Sequence, residues 1–198
     1  MREKLEIYFS YIFSPKSKME LLKKDEPSLS FIDILGISWS CSIISAIYDL
    51  VGLGLIKYLV FSLPAMEGVP MIDPKMFWIS QSISILGFPL FFFLNFKATF
   101  FFLALGLKIL GGDKLEFIQL KRVYTMSLCA NGFSIIPILN KFLVYLGQIY
   151  LTYRGVRTTL NLGRLHSLFL IFFPAMALLA SLLLFGILVM ATVNGLNF

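Results

Sequence analysis

A chain of 198 residues that is 58% hydrophobic and 14% charged, with mean hydropathy +0.85, holds more apolar surface than a water-soluble domain can hide. Its 17 basic and 11 acidic residues leave a net charge of +6. In an aqueous protein that surplus would suggest nucleic acid. In so apolar a chain, retention of Lys and Arg on the cytoplasmic side accounts for it, and no nucleic-acid partner is expected.

The expected fold is all-α: a polytopic helical bundle of about five transmembrane helices, preceded by interfacial amphipathic helices. Residues 1–28 form the cytoplasmic interfacial segment, and residues 29–198 the transmembrane domain. The N-terminal thirty residues are heavily charged and lack a continuous apolar core or a small-residue cleavage site, so no cleaved signal is expected. Within residues 3–13, Leu5, Tyr8, Phe9 and Ile12 recur at helical spacing. That spacing predicts a helix lying on the inner leaflet, with a solvated, frayed tail as the alternative. Ser14-Pro15 opens a second short helix through about Lys24, and Asp25-Glu26-Pro27 breaks the chain.

The first span covers about 31–61, with Ser30 and Asp33 spaced as a capping box. At this length the helix is about 46 Å long against a hydrocarbon core of about 30 Å, so it tilts or projects beyond the lipid. Asp73-Pro74 starts the second span, about 74–110, as one helix kinked near Pro89. Asp113 with Glu116 opens the third, about 115–136, whose apolar part begins near Val123. A turn at Pro137 leads to the fourth, about 141–158, and the fifth covers about 164–193. Cys41 and Cys129 fall inside apolar segments and read as free thiols.

Orientation follows from the basic residues. With five spans and the N-terminus inside, thirteen of the 17 lie on the inner side and only Lys75 and Lys141 outside. The C-terminus is then outside, in a multi-pass protein of the cytoplasmic (inner) membrane of a prokaryote. Lys114, Lys121, Arg122, Arg154, Arg157 and Arg164 gather on the inner side. They serve either topology alone or as a basic surface for anionic lipid.

Polar residues inside the spans are the candidate site. Asp49 lies about 27 Å along its helix from Phe31, Lys97 about 20 Å before Leu110, and Asn131 about 22 Å beyond Glu116. With Gln148 they are expected to form an intramembrane polar cluster. Two readings stand: an Asp–Lys pair with two amides that holds the bundle together, or a polar pocket for conduction. A stripe of mostly small residues recurs at Ser38, Ser42, Ser45, Asp49 and Gly52, at spacings of 4, 3, 4 and 3, and a similar line follows Ser80, Ser84, Gly87, Asn95 and Ala98. They read as packing faces of the first two spans, with a pore lining as the alternative. His166 is the only histidine, and metal-ligand spacings, a GxSxG elbow and a P-loop are missing. No catalytic residue, metal or cofactor is expected.

Several motifs in order resemble the Yip (Ypt/Rab-interacting protein) domain family in its short microbial form. They are Phe13-Ser14-Pro15 before a short charged helix, then a long first span. A second span ends in Gly111-Gly112-Asp113-Lys114, followed by the basic stretch from Phe117 to Tyr124. A Pro137 turn joins two linked spans, and Gly155-Val156-Arg157 precedes the last. The resemblance implies five spans and a cytoplasmic N-terminus. Eukaryotic members bind prenylated Rab GTPases and one another and act in vesicle traffic, so a small GTPase is a partner by resemblance alone. Their Asp-Leu-Tyr-Gly-Pro motif is missing here, and Asp49-Leu50 lies inside a span. The fold is carried over and no Rab-binding residue with it. The expected function is a non-catalytic scaffold or adaptor in membrane organisation or trafficking, in contact with the lipid bilayer, its own copies or other membrane proteins. The alternative is a small transporter or lipid-handling protein that uses the polar cluster.

Overall fold

The computed structural model describes residues 2–21, 29–61, 74–136 and 139–195, and every regular element among them is helical. In chain order these are α1 (Arg2–Phe13), α2 (Pro15–Leu21), α3 (Phe31–Phe61), α4 (Pro74–Ile109), α5 (Lys114–Ser127), a 3-10 segment (Leu128–Ile135), α6 (Asn140–Thr159) and α7 (Arg164–Gly195). The breaks at Asp25-Glu26-Pro27, the Asp73 cap and the Pro137 turn lie outside the described residues.

Local chemistry sets the boundaries. Asp33 accepts from the Ser30 backbone N–H at 3.2 Å while Ser30 Oγ accepts from the Asp33 N–H at 3.1 Å, a reciprocal cap on α3. Asp113 and Glu116 do the same for α5, at 2.8 and 3.1 Å. At the end of α4, Gly112 N–H donates to Leu107 O and Gly111 N–H to Lys108 O, both at 3.0 Å. That pairing is a Schellman motif, and its turning residue, Gly111, has φ +82°. Only glycine adopts this backbone readily.

Three helices among the described residues are long and apolar enough to cross a membrane: Phe31–Gly52, Trp78–Ile109 and Arg164–Ile187. Most of the surface of each is left open by the protein: 22, 28 and 6% of their most apolar windows are buried. The Arg164–Ile187 stretch has hydropathy 2.6, yet only 6% of its most apolar window is buried. Leu182, Leu183, Leu184, Phe185 and Ile187 all project outward. Water would penalise that surface at about 25 cal/mol per Å², whereas acyl chains accept it. The chain is therefore of the helical membrane class.

Segments three and four of the five-span expectation differ from those three. The third is not one helix: α5 tightens into the 3-10 segment after Ser127. α5 carries Lys114, Glu116, Lys121 and Arg122, and α6 carries Lys141, Arg154 and Arg157, and neither is among the three helices long and apolar enough to cross a membrane. One face of each packs against protein, while Leu115, Ile118, Phe142 and Leu146 stay exposed. Val123 through Ala130 are buried without interruption, and Leu151 and Val156 of α6 are buried beside them. Gly155 marks the closest approach: a Cβ there would collide with Val123 of α5 and press on Met19 of α2.

The N-terminal pair packs onto this hairpin. α1 runs parallel to the start of α3, with Lys4 Nζ 2.7 Å from Asp33 Oδ1 and the Tyr8 hydroxyl 2.9 Å from Ser38 Oγ. Tyr8 and Tyr11 are buried, and Ile12 and Tyr8 close over Gly132 of the 3-10 segment. The apolar face of α1 is thus covered by protein at Tyr8, where the spacing alone suggested lipid. Burial raises the Tyr8 phenol well above its ordinary range, so it stays protonated.

Candidate functional site

The four residues expected to cluster do not meet as one group. Asp49 is exposed on α3 between exposed Tyr48 and Val51. Lys97 is exposed on α4, with its ammonium 5.3 Å from the centroid of the Phe93 ring. The ion pairs recorded among the described residues, Arg2–Glu6 and Lys4–Asp33, include neither. Removing both charges should therefore leave the fold intact. The double variant Asp49→Asn/Lys97→Gln is expected to unfold in detergent at the same temperature as the unaltered protein. A lower midpoint would show that the two side chains support each other after all.

Asn131 and Gln148 face inward, into two neighbouring grooves. Asn131 donates to Leu128 O at 2.7 Å and lines a shallow groove of about 520 Å³ with Asn95, Ala98, Phe88 and Phe92. Gln148 lines a narrower groove of about 320 Å³ between α4, α5, α6 and α7. Its polar wall is Asn95, Thr99, Tyr124, Gln148 and Thr152, and its apolar wall includes Leu103, Ile171, Phe172 and Pro174. Thr99 Oγ1 donates to Asn95 Oδ1 at 3.3 Å, Gln148 Nε2 to the Tyr124 hydroxyl at 3.3 Å, and Thr152 Oγ1 to Gln148 O at 2.7 Å. Thr99 and Asn95 lie about 15 and 21 Å along α4 from Ile109, near the middle of a hydrocarbon core of about 30 Å.

Asn95 belongs to both grooves, yet its spacing had assigned it only to a packing stripe. Thr99, Tyr124 and Thr152 were not expected in the site. A signal for them does exist: Asn95/Thr99 and Gln148/Thr152 are polar pairs at i,i+4, one on each of two helices. The small-residue stripe of α3 is partly covered. Ser38 meets Tyr8, and Ser45 accepts from Asn140 Nδ2 at 2.9 Å. In the α4 stripe, Ser80, Ser84, Asn95 and Ala98 are exposed.

The basic residues expected on the inner side gather around the base of the α5–α6 hairpin. Lys114, Lys121, Arg122 and Arg164 are exposed, while Arg154 and Arg157 are half-buried. Tyr150 orients Arg154, accepting from its Nε at 3.4 Å with the ring 5.9 Å from the guanidinium carbon. Among the described residues no three His, Cys, Asp or Glu side chains converge on a metal position. Comparison with protein-family models, curated proteins and solved structures returns no match.

Proposed function

We propose that the chain is a Yip-type, non-catalytic membrane scaffold or adaptor. In this reading it sits in the inner membrane of a prokaryotic cell, N-terminus in the cytoplasm and C-terminus outside, and holds partner membrane proteins, its own copies or lipid on its outward faces. The observation that carries the reading is how the interior polar groups are used. Tyr8 with Ser38, Asn140 with Ser45 and Gln148 with Tyr124 each bond across elements. Such bonds hold a bundle together in lipid. The charged pair Asp49 and Lys97 meanwhile faces outward.

Five crossings are proposed, with α5 plus the 3-10 segment as the third and α6 as the fourth. Because these two form a hairpin, they enter the count as a pair. The orientation of both termini is the same whether the hairpin crosses fully or re-enters. Only Lys141, beside its tip, changes surroundings.

Cysteine labelling tests this, since the native Cys41 and Cys129 are buried. An impermeant maleimide on intact cells is expected to label Asn197→Cys and not Lys114→Cys. Labelling of both from one side would refute the orientation. Labelling of Lys141→Cys from outside marks a full crossing, and protection from outside marks re-entry.

A lipid-handling role is the second reading, favoured by the groove of about 320 Å³ with its polar wall at mid-depth. Filling it with Thr99→Leu/Thr152→Leu would then abolish lipid movement in proteoliposomes, whereas a scaffold keeps its partners.

A further inference from the structure

The positive charge of this chain is not spread along it. Glu116 is the last acidic residue, and after it come Lys121, Arg122, Lys141, Arg154, Arg157 and Arg164. Up to Glu116 the chain holds 11 basic and 11 acidic residues, so the whole net charge of +6 lies beyond that point. Topology does not require this. The rule that keeps Lys and Arg inside counts basic residues and is nearly indifferent to acidic ones. The first 116 residues obey it while electrically balanced.

The fold then concentrates the surplus. Contact of Gly155 with Val123 sets the turn bearing Lys121 and Arg122 beside the turn bearing Arg154 and Arg157. Arg164 begins α7 just beyond the end of α6.

We propose that the base of the α5–α6 hairpin, with the start of α7, is a binding surface for the headgroups of anionic phospholipids. Two observations favour lipid over a soluble polyanion. The surface lies where the apolar belts end: Lys108 is in the last turn of α4, and Arg164 opens the span that runs to Ile187. Its cations also alternate with exposed Leu115, Ile118 and Leu165, which suit acyl chains and not RNA or an acidic peptide. Guanidinium forks match phosphate oxygens in pairs, and four of the five cations at this end, Arg122, Arg154, Arg157 and Arg164, are arginines. The inference depends on the membrane placement and is independent of a scaffold role.

The test uses the full chain in a neutral detergent, titrated with phosphatidylglycerol or phosphatidylcholine in mixed micelles. Bound lipid is read by phosphorus analysis after gel filtration. Lys121→Gln/Arg154→Gln/Arg157→Gln is expected to bind phosphatidylglycerol on the order of a hundredfold more weakly, at about fivefold per basic side chain. The charge-matched control Lys57→Gln/Lys75→Gln/Lys141→Gln should lose no more than a few-fold. The unaltered protein gives a check free of folding effects: its phosphatidylglycerol binding should weaken as salt rises, and its phosphatidylcholine binding should not. Equal, salt-independent binding of the two lipids would overturn the proposal. So would an equal loss in the control, or tighter binding to poly-glutamate or single-stranded RNA than to phosphatidylglycerol.

Discussion

Gly155→Val is expected to lower the stability of the protein by about 2–3 kcal/mol, among the largest effects of any single substitution outside the lipid-facing surface. Three elements converge at this position. The missing side chain of Gly155 lets α6 press against Val123 of α5, with Met19 of α2 at 3.1 Å from where a Cβ would stand. Val123 is fully buried in the central run and has no room to retreat, because Tyr124 and Leu120 are buried on either side. A branched side chain must therefore separate the helices, and interiors this dense transmit the displacement. Gly186→Val on α7 is the matched control. No atom lies within 4 Å of its absent Cβ, so its effect should stay within about 0.5 kcal/mol. Thermal unfolding followed by fluorescence-detected gel filtration measures both. Adding Val123→Ala should restore part of the Gly155→Val loss, since the two sites share one contact. Equal midpoints for Gly155→Val and Gly186→Val would remove Gly155 from the centre of the packing.

What the sequence made legible is what neighbours in the chain decide. Ser30 with Asp33 and Asp113 with Glu116 are three residues apart, and both close the caps that their spacing implies. The long apolar runs of α3, α4 and α7 also declare themselves, because lipid demands hydrophobicity all round a helix. The hairpin hides for the converse reason. Val123–Ala130 is apolar because it is buried in protein, and hydropathy does not separate burial in protein from burial in lipid. The same ambiguity covers Tyr8: its spacing marks a face of α1, and only the fold reveals that Ser38 lies against it. Asp49 and Lys97 show a further limit. Rise per residue places a side chain along the membrane normal, but the angle around each helix axis is a separate coordinate. Two residues at similar depth need not meet, and no ion pair recorded among the described residues joins these two. For Asn95, Thr99, Gln148 and Thr152 the i,i+4 pairing within apolar helices carried that angular information.

Trp39 and Pro89 should behave as one unit although they lie on different helices. Proline lacks the N–H that would reach four residues back, so Pro89 leaves the carbonyl of Ile85 without its helical partner. The indole Nε1 of Trp39 donates to that oxygen at 2.9 Å. In water such a carbonyl finds a solvent donor; within hydrocarbon it finds none, and α4 keeps a proline in its middle because α3 supplies the bond. Trp39→Phe preserves an aromatic ring and removes the donor, at an expected cost of about 1–2 kcal/mol. Pro89→Ala returns the missing N–H, after which Trp39→Phe should cost less than about 0.5 kcal/mol beyond the loss of ring area. The cycle needs four proteins, each unfolded in mixed micelles of rising denaturing-detergent fraction. A coupling of about 1 kcal/mol between the two positions identifies the indole as the stand-in for the lost helical bond. Strict additivity would mean that Ile85 is satisfied some other way and that Trp39 only fills space between α3 and α4.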